Sequence, residues 1–355
     1  MKILICGSVA LPVPPPAQGG TERIAYWQAK GLAARGHDVT LIAAHGSSKE
    51  EGYSLVEIGG GDTVAGSQKT KQSQGGEIQE SSRGLRKESV YLAQVGQYIL
   101  SHGASYDVII NNMRAGEAYF LPFAKAVGIP ILTVMHLPIF EELAALFREY
   151  NTPVVTISDA QRTQYPDLQY AGTVYNGIDL AEFPFRDEKE NYLLMMGSIA
   201  PHKNQKDGIA TAKRLGMKLI MAGKISNPHY YEEEIKPHVN GATVVHLGEL
   251  SLEEKAALYG GAKALLFPVM WEEPFGLVMI EAMACGTPVV AYKRGAIPEV
   301  VVNGKTGYIV DSLDEMVTAV KKIDVIQPAA CRTHVAEHFT FEKMTDALEE
   351  ALRRV

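Results

Sequence analysis

"KALLFPVMWEEPFGLVMIEAMACGTPVVAY", residues 263–292, reads as strand, turn, helix, strand. The apolar run "KALLFP" is too short for a helix and is stopped by Pro268. The chain then turns through Trp271–Pro274 and enters a helix predicted from about Phe275 to Cys285, with Gly286 as its C′ stop and Thr287-Pro288 beyond. "PVVAY" returns as a second β-rich run. A strand and its successor joined by a helix form a βαβ unit, so the two strands run parallel.

Working outward, the same alternation fills nearly the whole chain, which predicts an α/β protein with parallel sheets. The predicted strands of the first half are "KILICG", "DVTLIAA", "DVIINN", "PILTVMH", "PVVTIS" and "GTVYN", beginning at Lys2, Asp38, Asp107, Pro130, Pro153 and Gly172. Between the first two, Ile24, Trp27, Gly31 and Leu32 recur at helical spacing and Gly36 ends the helix. After a polar, turn-rich linker at 176–191 the pattern restarts with "YLLMMGS", "KLIMAG", "TVVHLG", "KALLFP" and "PVVAY". This divides the chain into domains at 1–175 and 192–325. Helices at 326–355, with Phe341, Met344, Leu348 and Leu352 along one face, are expected to pack back on the first domain. Two such halves imply a cleft, with ligands at the carboxyl ends of the strands. Residues 59–90, rich in Gly, Ser and Gln, are expected to form a mobile loop within the first domain.

Composition excludes several classes. The chain has 355 residues, 46% hydrophobic and 21% charged, and lacks the uninterrupted apolar run of about 18 residues that a bilayer span needs. The start reads as a first strand rather than a cleaved leader. A net charge of −7, with scattered basic residues, excludes a nucleic-acid footprint. Cys6, Cys285 and Cys331 lie far apart in apolar surroundings, so they are expected as buried thiols in the cytoplasm, neither disulfide-bonded nor holding a metal.

The chemistry concentrates in the opening stretch. A helix N-terminus follows a strand's carboxyl end, so the amides of Phe275, Gly276 and Leu277 are expected to lack helical partners and to suit phosphate or sugar oxygens. Glu273 lies beside them, and Glu281 follows 281 − 273 = 8 positions later. On a helix that is at most about 12 Å along the axis, too far for an acid–base pair acting on one bond. It suits the two ends of an extended ligand such as a sugar nucleotide, whose hydroxyl pairs carboxylates accept strongly. The plainer alternative makes Glu273 a helix-entry charge and Glu281 a solvated residue.

The run "EEPFGLVMIEAMACGTPVVAYKRGAIPEVVVNGKTGYIV" (272–310) resembles the nucleotide-recognition segment of glycosyltransferase family 4, retaining enzymes of the GT-B fold with two Rossmann-like domains facing across a cleft. "GGTE" at 19–22, "MH" at 135–136, "YNGID" at 175–179 and "GSIAPHKN" at 197–204 fall in the family's order. The resemblance implies an N-terminal acceptor domain and a C-terminal nucleotide-sugar domain. It implies that Glu273 binds donor-sugar hydroxyls, that Glu281 binds the ribose, and that the amides of Phe275, Gly276 and Leu277 meet the sugar or diphosphate. Gly19 and Gly20 would let backbone close over the same group, and His136 would touch the donor sugar near the reaction centre, where its imidazole can hydrogen-bond a sugar hydroxyl and is not assigned as a general base. Turns near Lys224 and Leu250 would frame the base. The expected partners are a nucleoside diphosphate sugar, preferably a UDP-sugar, and an unidentified hydroxyl acceptor, whether a small molecule, a saccharide or a glycolipid. Peripheral membrane contact, for example through Arg83, Arg86 and Lys87, stays open beside a plainly solvated loop.

One position departs from the family pattern. Members usually carry Gly-Arg and then a Lys, whereas this chain has Gly197-Ser198 and keeps only Lys203 to face the leaving diphosphate. His202 or Arg23 are candidates to fill the gap. No Asp-x-Asp pair occurs, so no metal and no cofactor is expected. The reading is therefore a retaining hexosyltransferase with His136, Glu273 and Lys203 at its centre. The alternative is a degenerate relative that binds without turnover. A dinucleotide-dependent dehydrogenase fits poorly, because the first βα turn, "CGSVALPVPPPAQGG", lacks G-x-G-x-x-G.

Overall fold

The computed structural model describes residues 1–15, 19–50, 52–60 and 83–355. They divide into two compact units: 1–157, 164–174 and 345–355 in the first; 158–163 and 175–344 in the second.

The first unit holds a seven-stranded sheet. Its strands are β1 (Lys2–Ser8), β2 (Asp38–Ala43), β3 (Tyr53–Glu57), β4 (Val108–Asn111), β5 (Ile131–Met135), β6 (Val154–Thr156) and β7 (Tyr170–Thr173). All pair in parallel, in the order β3-β2-β1-β4-β5-β6-β7. Around it run α1 (Gly20–Ala34), α2 (Arg83–His102), α3 (Leu121–Val127) and α4 (Glu141–Tyr150). The central strands are buried on both faces, which is why they read as unbroken apolar runs rather than as alternation. One core gathers Leu4, Cys6, Ile109, Val95, Ile99, Phe120 and Phe147.

The second unit repeats the plan with six strands: β8 (Tyr192–Met196), β9 (Lys218–Ala222), β10 (Val244–His246), β11 (Ala264–Phe267), β12 (Val289–Tyr292) and β13 (Gly307–Val310). Their order is β10-β9-β8-β11-β12-β13, again all parallel. The helices that follow are α5 (Gln205–Leu215), α6 (Pro228–Tyr230), α7 (Leu252–Gly261), α8 (Leu277–Ala284), α9 (Ile297–Val300), α10 (Leu313–Lys321) and α11 (Pro328–His338), and α12 (Phe341–Leu352) has most of its residues, from 345 on, in the first unit. In each sheet the order reverses once, between β1 and β4 and between β8 and β11. These switch points are where open parallel sheets leave a crevice for a ligand.

Several expectations need correcting. Residues 83–90 are not loop but the first turns of α2. Leu85, Arg86, Lys87 and Glu88 are helix formers that extend a helix anchored by buried Leu92, Val95 and Ile99. The rest of the expected loop, 61–82, lies outside the described residues. β3 and β13 had not been read as strands. "GTVYN" ends its strand at Thr173, so Val174–Asn176 lie beyond β7.

Candidate active site

The opening stretch folds as β11, a turn and α8, but the helix starts later than expected. Phe275 is 1% exposed and packs its ring against Tyr175 and Phe339, and Gly276 turns the chain with φ 83° and ψ 66°. A side chain there would be held in a left-handed conformation that glycine adopts at little cost. Helices α7 and α10 are capped by Ser251 and Ser312, whereas α8 and α1 begin after Gly276 and Gly19 with no side-chain cap. Among the described residues the amides of Gly276 and Leu277 find no acceptor, so the positive end of α8 stays bare.

Glu273 sits just before that end, buried at 8% exposure. Its Oε2 accepts from Lys203 Nζ at 2.8 Å and from Trp271 Nε1 at 2.9 Å. Lys203 Nζ also lies 5.1 Å from the Trp271 ring centre and 5.4 Å from that of Phe267, a cation–π seat that holds the ammonium over β11. From the other side, the backbone of Glu273 accepts Ala296 N–H, and Glu272 Oε2 takes the Gly295 amide at 2.7 Å. With the carboxylate fixed through one oxygen, Oε1 has no protein donor among the described residues.

Glu281, one turn into α8, repeats the arrangement. Its Oε2 accepts from the hydroxyl of Tyr259 at 2.7 Å, and Tyr259 is wholly buried in α7. Burial pushes that phenol well above its usual range, with the neighbouring carboxylate adding to the effect, so it remains a donor. Glu281 is half-buried and held, not a solvated face residue.

The remaining sequence-predicted residues of the second unit lie at neighbouring strand ends. Ser198 follows β8, and its carbonyl accepts from Gln205 Nε2. Lys224 follows β9 and gives its carbonyl to the Ile199 amide, while Leu250, after β10, leads into the Ser251 capping box. A side chain at Gly223 would strike the Gly197 carbonyl 2.0 Å away, so these two loops touch through bare backbone. His202 packs edge-on to Trp271, and partial burial and the adjacent Lys203 charge lower its pKa. It is therefore no second cation near neutral pH, which removes it as a replacement for the family's arginine.

In the first unit, Gly19 and Gly20 open α1 after β1, and His136 follows β5. The His136 Nε2 meets Asn112 Oδ1 at 2.8 Å, and burial pulls its pKa down to about 4, so the ring is neutral. Asn112 follows β4, beside the switch point. Sequence reading missed Trp271, Tyr259 and Asn112. Trp271 stood in the opening stretch and Asn112 ended a predicted strand with a polar pair, but Tyr259 carried no local signal.

Comparison with known proteins bears on the family and the fold. The family model for glycosyl transferases group 1 matches residues 179–327. Over that segment, less than half of the chain, the protein is similar to this family. The O-antigen chain mannosyltransferase RfbU of Salmonella typhimurium is 29% identical over 194 residues, 53% of this chain and 55% of that protein. A glycogen synthase of Mycobacterium tuberculosis is 34% identical over 151 residues, 40% of this chain and 36% of that one. The chain thus spans about half or less of the length of these curated relatives. Anabaena HepE, solved with UDP and glucose, superposes with a TM-score of 0.73 at 19% identity over 100% of both chains. The fold of this protein is GT-B. Among the described residues no helix is long and apolar enough to cross a membrane.

Proposed function

We propose that the protein transfers a hexosyl group, with retention, from a nucleoside diphosphate sugar to an acceptor hydroxyl. The observation that carries this reading is the end of β11. There Glu273, fixed by Lys203 and Trp271, stands with one free oxygen beside the unpaired amides of α8, while Glu281, fixed by Tyr259, stands one turn on. Glu273 takes sugar hydroxyls and Glu281 the ribose diol. Lys203 and the helix amides stabilise the charge that develops on the departing diphosphate, and transfer relies on that stabilisation and on positioning rather than on a metal. Retention follows if the acceptor attacks on the leaving-group face. HepE, which binds UDP and UDP-glucose, supports a UDP-sugar as donor. The acceptor is assigned to the first unit, as a hydroxyl compound of unspecified class. Three free, buried cysteines, their thiols pushed up to about 12 by burial, favour a reducing cytoplasm.

Incubation with a panel of UDP-, GDP- and ADP-sugars should release nucleoside diphosphate, and Glu273→Gln should abolish the release. A specific observation favours a second reading. Ser198 stands where the family carries arginine and His202 is neutral, so that among the described residues of the second unit Lys203 is the cation paired with Glu273, which fits a protein that binds without turnover. Binding of a donor with no release, and release gained in Ser198→Arg, would select that second reading.

A further inference from the structure

Two buried amides stand behind His136 in the first unit. Asn112 and Gln28 are each 1% exposed. Gln28 lies on α1, one turn after Ile24 on its buried face, a polar side chain where packing alone would place an apolar one. Its Oε1 receives Asn112 Nδ2 at 2.7 Å, and Asn112 Oδ1 faces His136 Nε2 at 2.8 Å.

The donor and acceptor roles along this row follow one from the next. A carbonyl oxygen only accepts, so Gln28 Oε1 commits Asn112 to turn its NH2 toward α1 and its oxygen toward β5. That oxygen in turn only accepts, so His136 Nε2 carries the ring proton. Nδ1 is then a lone pair, and it meets no protein donor among the described residues. We infer that Asn112, locked by Gln28, is a positioning residue that holds His136 as its Nε2–H tautomer and presents Nδ1 as an acceptor. The ligand group that fits is a hydroxyl, which can donate. A phosphate or carboxylate oxygen would meet the lone pair and be repelled. The role of the hydroxyl in transfer rests on the function proposed above, whereas the tautomer does not.

The experiment reads the two separately. Two-bond 15N–1H correlation spectra of the ligand-free protein should show His136 protonated at Nε2. Gln28→Leu, which frees the Asn112 amide to turn over, should give a mixture of tautomers, as should Asn112→Leu. A His136 protonated at Nδ1 in the unaltered protein, or the same tautomer in the protein and both variants, overturns the inference whether or not the chain turns over any sugar nucleotide. With an active donor, one member of a mono-deoxy sugar series should lose about tenfold in kcat/KM against the unaltered protein and nothing against Asn112→Leu, the scale of one hydrogen bond. Equal losses in both proteins would refute the hydroxyl assignment.

Discussion

Replacing Lys203 with methionine tests the site at its most constrained point. The ammonium and the Glu273 carboxylate lie 2.8 Å apart, with side-chain exposures of 20% and 9%. Removing the lysine leaves a nearly buried carboxylate whose Oε2 keeps only the Trp271 N–H at 2.9 Å. Breaking a buried pair from one side costs about 3–5 kcal/mol. The partial exposure of Lys203 and the surviving indole bond reduce the expected loss to about 2 kcal/mol. For a unit of this size that lowers the thermal midpoint by about 4–8 °C, readable by calorimetry. Turnover should fall further, because the same ammonium meets the leaving group. Loss of a charge-assisted contact of about 1.5–3 kcal/mol lowers kcat/KM by about 10- to 150-fold. The double variant Lys203→Met/Glu273→Gln removes both charges and should recover at least about 1 kcal/mol of the stability, with no recovery of turnover. A single variant with an unchanged midpoint and unchanged kcat/KM would refute the reasoning. A lowered midpoint with full turnover would make the pair structural only.

Further outcomes follow from the same geometry. Tyr259→Phe deletes the hydroxyl that holds Glu281 and should weaken nucleoside diphosphate binding by about fivefold in calorimetric titration, the scale of about 1 kcal/mol. Lys189 donates to the Gly260 and Cys285 carbonyls and to Thr287 Oγ1, so Lys189→Met should cost about 2–3 kcal/mol in denaturant unfolding. Burial holds the Lys189 pKa down at about 8 against an ordinary 10.5, so the unfolded chain binds its proton more readily. The burial cost of the charged lysine is therefore full below about pH 8 and gone above 10.5, so stability rises with pH across that window, and the methionine variant should lack that slope. A methyl group at Gly31 would lie 2.2 Å from Thr345 Oγ1, so Gly31→Ala should destabilise by about 1–3 kcal/mol although alanine is the better helix former.

The legible parts of this fold share a physical reason. β1, β8, β11 and β12 are buried on both faces, and a continuous apolar run between turn residues announces that from sequence alone. β3 sits at a sheet edge, with Tyr53 its only fully buried residue, and "YSLVE" carries too weak a pattern to be read as a strand. β13 is an edge strand of the second sheet, and its two central residues are only partly buried. The start of α2 was hidden because a polar composition describes a solvated helix as well as a loop. In the site, Glu273 and Glu281 stand out by their spacing at a helix start, but it is the family resemblance that implies a ligand role for them and for Lys203. Their partners are not legible in the sequence. Tyr259 reaches Glu281 across 22 positions and Lys203 reaches Glu273 across 70, contacts that only the packing of α7, α8 and the β8 loop creates.

The central claim is that the end of β11 and the start of α8 grip a sugar nucleotide. Isothermal titration calorimetry of the protein against UDP-, GDP- and ADP-sugars and the free diphosphates measures it most directly. The account predicts one-site binding to at least one of them, weakened about tenfold or more in Glu281→Gln. No heat with any member of the panel, or unaltered affinity in that variant, would contradict it.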